Sequence, residues 1–137
     1  MNILVTGASR GVGLAICRIL LEQGNSVYAV SRSYTEEFKD LESKYKGSLF
    51  FKSIDLSKPE ELHKKVFKEF LTNDISLGGI VNNAAIAYDD IVTNLNLVQL
   101  ESMYRTNVFS PMVLTKYAIR NMLLNRTKGC IIHISSI

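Results

Sequence analysis

The chain has 137 residues, 47% of them hydrophobic, and a formal net charge of +3, which is enough apolar material for one ordinary packed domain. The positive excess is spread along the chain without a dense basic block, which argues against nucleic-acid binding, and no run approaches the roughly 20 apolar residues a membrane span needs. Cys17 and Cys130 lack metal-like spacing, and His63 and His133 lack ligand-spaced neighbours, so a metal site is disfavoured and both cysteines read as buried, reduced thiols.

The chain opens on an apolar strand, Ile3 to Thr6, with no charged segment before it; this is not a signal peptide, and a cytoplasmic location is expected. Thr6-Gly7-x-x-x-Gly11-x-Gly13 follows. Gly7 lets the chain turn sharply, Gly11 lets backbone N–H groups approach a pyrophosphate, and Gly13 lets the next helix pack against the sheet. That helix, Val12 to Gln23, carries Leu14, Ile16, Cys17, Leu20 and Leu21 at helical spacing, and Gly24 stops it. Its first turn offers free N–H donors to a phosphate.

The second strand is Ser26 to Ser31. Where an NAD-binding fold would hold the ribose 2′-hydroxyl with an acid, this chain has Ser31-Arg32-Ser33. A carboxylate there would repel a 2′-phosphate, whereas Arg32 offers a planar fork of donors, and Arg10 in the glycine turn is a second candidate. The pattern favours NADP over NAD.

A polar helix is expected over Thr35 to Lys46, with Phe38, Leu41 and Tyr45 on one stripe, and a third strand over Leu49 to Ile54. Ser57-Lys58-Pro59-Glu60 reads as a capping box opening a helix to about Leu71, with Ser57 as N-cap. A fourth buried strand covers Gly79 to Asn83, and Tyr88 to Asn96 reads as a polar loop. A long helical region follows from Leu97 to Asn125, which Pro111 should kink or divide. The isolated Asn107 within it has poor helix propensity, so some local group should use its amide. The fifth strand, Gly129 to Ser136, ends in Ser135-Ser136-Ile137.

Three motifs in this order carry a family likeness: the glycine turn, Asn82-Asn83-Ala84-Ala85, and the fifth strand ending in a serine pair. Together they resemble the short-chain dehydrogenase/reductase family, in its smaller single-domain branch, with most flavour of the 3-oxoacyl-(acyl-carrier-protein) reductases. The resemblance implies an α/β, Rossmann-type doubly wound parallel sheet of order 3-2-1-4-5. It implies that Thr6, Gly7, Ser9, Arg10, Gly11, Val12, Gly13, Arg32, Asp55, Leu56, Asn83, Ala84 and Ala85 contact NADP, with Asp55 meeting the adenine amino group. It assigns catalytic roles to Ser136 and Asn107, and a sheet-stabilising role to Asn82. Ala85 departs from the pattern by adding a methyl group where the family has glycine.

The family's Tyr-x-x-x-Lys pair is not found: no tyrosine here has a lysine four residues later. Residues 1–137 are therefore expected to be an NADP-binding domain incomplete at its C-terminus, without the family's last strands and helices and inactive alone. Two readings follow. One is an NADP-dependent reductase of a small carbonyl compound or 3-oxoacyl thioester, forming a homo-oligomer when complete. The other is a catalytically inactive NADP(H)-binding module.

Overall fold

The computed structural model describes residues 1–136; Ile137, the end of the expected domain, lies outside the described residues. Five parallel strands form one sheet: β1 (Asn2–Thr6), β2 (Ser26–Ser31), β3 (Leu49–Ser53), β4 (Leu77–Asn82) and β5 (Cys130–His133). Their order is β3-β2-β1-β4-β5, the order expected. The helices are α1 (Gly11–Glu22), α2 (Glu36–Lys44), α3 (Leu62–Phe67), α4 (Leu97–Tyr104) and α5 (Ser110–Leu124).

β1, β2 and β4 are buried on both faces, which is why they read as continuous apolar runs instead of alternating ones; the outer strands β3 and β5 are more exposed. In β1, Ile3 and Val5 face a core that includes Leu14, Cys17, Phe38 and Leu41 from α1 and α2. Leu4 faces the opposite core, with Leu62, Val66, Leu114 and Ala118 from α3 and α5. Each fully buried Leu or Val side chain contributes roughly 1.5–3 kcal/mol. The chain works outward from β1 to β3, then returns to add β4 on the other side. That reversal opens a crevice between β1 and β4 at the carboxyl ends of the strands.

Several local expectations are corrected. The capping box does not form. Asp55 Oδ1 instead accepts from both the backbone N–H and the hydroxyl of Ser57, because a carboxylate two residues back is the stronger local acceptor. Lys58 precedes a 3₁₀ turn, Pro59–Glu61, with no side-chain cap, and α3 ends at Phe67, short of Leu71. Leu71 still reaches the core, only 1% exposed.

The long helical region is also not divided at Pro111. Between α4 and α5 the chain makes a π-turn, Arg105–Phe109, and Pro111 lies in the first turn of α5. A proline cannot donate to the carbonyl four residues back and its ring crowds that group; the group here belongs to Asn107, and the wider turn makes room for it. Cys130 is exposed on β5, whereas Cys17 is buried. Burial pushes the Cys17 thiol up to about 12. β5 is shorter than expected, so Ser135 and Ser136 follow it and are exposed. No helix among the described residues is long and apolar enough to cross a membrane.

Candidate functional site

At the β1/β4 reversal lies a cleft of about 350 Å³. Its floor is the glycine turn, and the two strands are locked together beneath it. The Thr6 hydroxyl, 2% exposed, accepts from the backbone N–H of Asn83 and of Ala84, both at 3.0 Å. Asn83 Nδ2 returns the tie by donating to the carbonyls of Thr6 and Gly7 at 3.1 and 3.2 Å. Thr6 thus supports the cleft from below, while Asn83, Ala84 and Ala85 line it.

The turn itself is set by its glycines. Gly7 has φ +65°, and a Cβ there would lie 2.9 Å from Ala84 Cα. Gly11 has φ +54° with open space where a Cβ would point. Arg10, at the N-cap of α1, makes no side-chain cap, and the first turn of α1 contains no acid. Its N–H groups thus lack a side-chain acceptor at the point where Ser9, Arg10, Gly11, Val12 and Gly13 border the cleft. Hydroxyls fix the turn from the β2 side: Ser9 Oγ lies 2.8 Å from Ser31 Oγ. Thr35 Oγ1 donates to Ser9 O at 2.6 Å while capping α2 through Phe38 N.

Arg32 borders the cleft at the end of β2, with Ser31 and Ser33 on either side of it. At the end of β3, Ile54, Asp55, Leu56 and Ser57 form the facing wall. Asp55 supplies the one carboxylate among the lining residues. The Ser57 backbone N–H holds that carboxyl below the usual carboxylate range, helped by the Ser57 hydroxyl and by Lys58 and Arg32. Asp55 therefore stays ionised and can accept a hydrogen bond from an amino group. A group depressed in this way lends stability that is complete above its unfolded value, near pH 4, and is lost as pH falls through the lower folded value. Asp55→Asn is expected to flatten the acid-side fall in the urea midpoint between about pH 5 and 3; parallel curves for variant and wild type would contradict this.

The donor set fits a dinucleotide. Amides without a side-chain cap and open glycine space suit a pyrophosphate, two guanidinium groups suit a monoester, and Ile54 and Leu56 flank an acceptor suited to a purine edge. Among the described residues no group of three or more metal-ligating side chains occurs.

The two residues carrying expected catalytic roles do not line this cleft. Asn107 sits in the π-turn, where its Oδ1 accepts from Ile86 N at 2.9 Å and its Nδ2 donates to Ile86 O at 2.7 Å. Its neighbour Thr106 and its partner Ile86 both line the cleft. Replacing Asn107 by Ala leaves both Ile86 backbone groups unpaired. The expected loss is about 2 kcal/mol of unfolding free energy, measurable by denaturant titration; an unchanged midpoint would show that water replaces the pair. Ser136 is exposed beyond β5, on the same carboxyl edge, where Ile134 N donates to Asn82 O at 2.9 Å. Asn82 itself, 4% exposed, joins β4 to α5 and β5 through Thr115 and His133.

Sequence reasoning did not assign Thr106 and Ser102, which reach the cleft from one face of the helical stretch at i, i+4 spacing. It also missed Arg105. That guanidinium donates to Ser57 O at 2.8 Å and pairs with Glu60, tying the π-turn to the cleft's β3 wall. Ser110 adds a hydroxyl bond to Leu56 O. No local pattern signals these ties, because they span about fifty positions of sequence.

A sequence profile described as short chain dehydrogenase matches residues 1–137. The chain is 34% identical, over 98% of its length and 54% of the relative, to 3-oxoacyl-(acyl-carrier-protein) reductase FabG of Vibrio cholerae serotype O1. Among solved structures, a metagenomic short-chain oxidoreductase in complex with NADP superposes with TM-score 0.87 at 25% identity, over 100% of this chain and 62% of that one. A 4-hydroxyisoleucine dehydrogenase mutant complexed with NADH and succinate superposes with TM-score 0.89 at 26% identity, over 99% and 55%. The chain spans about half the length of the curated relatives it matches.

Proposed function

The chain belongs to the short-chain dehydrogenase family, and on that premise we propose that residues 1–137 form the NADP-binding part of a cytoplasmic carbonyl reductase. The observation that carries this reading is the electrostatic character of the cleft around the glycine turn. Uncapped amides at the head of α1 meet Arg10 and Arg32, with no acid at the end of β2 to oppose a phosphate. The NADP-bound relative lends support, and the NADH-bound one makes the choice of nucleotide a matter for experiment.

The nucleotide, when bound, supplies the hydride. This chain's residues bind and orient. Arg10 and Arg32 hold the 2′-phosphate, the α1 amides hold the pyrophosphate, and Asp55 accepts from the adenine amino group. Ser136 hydrogen-bonds the substrate carbonyl, that of a small ketone or 3-oxoacyl thioester. Both ends of the Asn107 amide are held by Ile86, so Asn107 braces the 83–86 wall.

Reducing a ketone also needs a proton donor matched to the developing alkoxide, and the sequence has no Tyr-x-x-x-Lys pair to act as one. The chain alone therefore binds nucleotide without turnover, and a protein that adds the pair to these residues completes the reaction. The exposed outer face of the α4–α5 stretch, with Leu97, Val98, Phe109 and Met112, is the surface for self-association in such a protein.

Titrating the chain with NADPH and NADH tests the binding claim. Tighter binding of NADPH is expected, a preference for NADH would overturn the roles of Arg10 and Arg32, and no binding of either would overturn the whole reading. Oxidation of NADPH by this chain with an acetoacetyl thioester would contradict the mechanism.

A further inference from the structure

On the outer surface, between α3 and α5, runs a second groove of about 350 Å³, lined by His63, Phe67, Lys68, Tyr117, Arg120 and Leu124 among others. It owes nothing to the cleft at the strand ends. We propose that this groove is a separate binding site that takes the phosphate group of a small organic phosphate, with the organic body lying on Phe67 and Leu124.

The groove gathers positive charge that no acidic side chain in its lining offsets. The ring of His63 stacks on Tyr117, centroids 4.0 Å apart and planes within 7°. Lys116 lies over the same tyrosine at 5.1 Å. Among the described residues, Lys64, Lys68, Lys116 and Arg120 form no ion pair; the nearby Lys65 and Lys52 have theirs, with Glu61 and Glu69. Partial burial lowers the His63 pKa, and the charges of Lys68, Arg120 and Lys116 lower it further. The groove thus presents a field of one sign to the group that sits in it.

Helix ends account for part of this only. Lys68, at the C-cap of α3, complements the carbonyls of that helix end. Lys116 and Arg120, four apart in the interior of α5, repel each other at a cost of a few tenths of a kcal/mol. A bound dianion removes that repulsion and engages Arg120 through its planar fork, the geometry that suits phosphate oxygens. The exposed Leu124, 75% accessible beside these cations, then gains an apolar contact.

The two histidines make the test direct, because His133 lies on β5 outside this groove. Phenyl phosphate and inorganic phosphate are titrated into the chain while the ring protons of both histidines are followed by NMR. Phenyl phosphate is expected to shift His63 and raise its titration midpoint, leaving His133 still, and to bind more tightly than inorganic phosphate. The double variant Lys68→Gln, Arg120→Gln is expected to weaken binding about tenfold or more. The proposal is overturned if His63 does not respond, if both histidines shift together, if the two phosphates bind equally, or if the double variant binds like wild type. The wild-type His63 response decides the matter alone should the variant not fold.

Discussion

Replacing Gly13 by alanine is expected to destabilise the chain by about 2–3 kcal/mol, through overpacking of a site with no room. The added Cβ would stand 2.0 Å from the carbonyl oxygen of Gly7 and 2.7 Å from Asn83 Nδ2. Neither can yield cheaply, since Gly7 O and Asn83 Nδ2 are bonded to each other. Alanine gains up to about 1 kcal/mol over glycine inside a helix, so propensity alone predicts the opposite sign. The turn must open to relieve the clash, and nucleotide binding should go with it. Gly11→Ala is the control. It meets no atom within 4 Å but sits at φ +54°, so only about 1–2 kcal/mol of left-handed strain is expected. Denaturant titration of both variants measures the difference; a Gly13→Ala midpoint at or above that of wild type would remove the packing role assigned to this glycine.

The second large effect concerns the nucleotide. Arg10→Gln with Arg32→Gln is expected to raise the NADPH dissociation constant about a hundredfold, close to 1.4 kcal/mol for each arginine. That is the low end for charged hydrogen bonds, chosen because both side chains are exposed and screened by solvent. NADH lacks the extra phosphate and should change little, so the ratio of the two constants is the diagnostic quantity. Equal losses for both nucleotides would mean that the arginines act on the pyrophosphate or on the fold.

How far the sequence can be read depends on the range of the interactions involved. The central strands β1, β2 and β4 were legible because both faces are buried, which writes each as a short apolar run between turn residues. The glycine turn was legible because its geometry leaves few residues to choose from. By contrast, Ser57 looked like a helix cap only because the pull of Asp55 two residues earlier was not weighed against it. Pro111 looked like a break because a π-turn has no sequence signature of its own. Cys130 looked buried from its apolar neighbours, but β5 is the outer strand of the described sheet. Arg105 was invisible because its value lies in partners brought near by the fold. Of the residues expected to contact the cofactor, all but Thr6 border the cleft, whereas the mutual support of Thr6, Asn83, Asn107 and Ile86 was not readable.

The placement of β1 also bears on how the molecule comes to be folded. Residues 2–6, the first of the five strands to leave a ribosome, belong in the middle of the sheet, and Asn2 must wait for Leu77 before its second neighbour exists. Until then one edge of that strand has no bonding partner. Closing so long a span carries an entropic cost that nearby contacts cannot repay in advance. The central strand's second ladder is therefore a long-range pairing, and contacts of that kind slow folding relative to local ones.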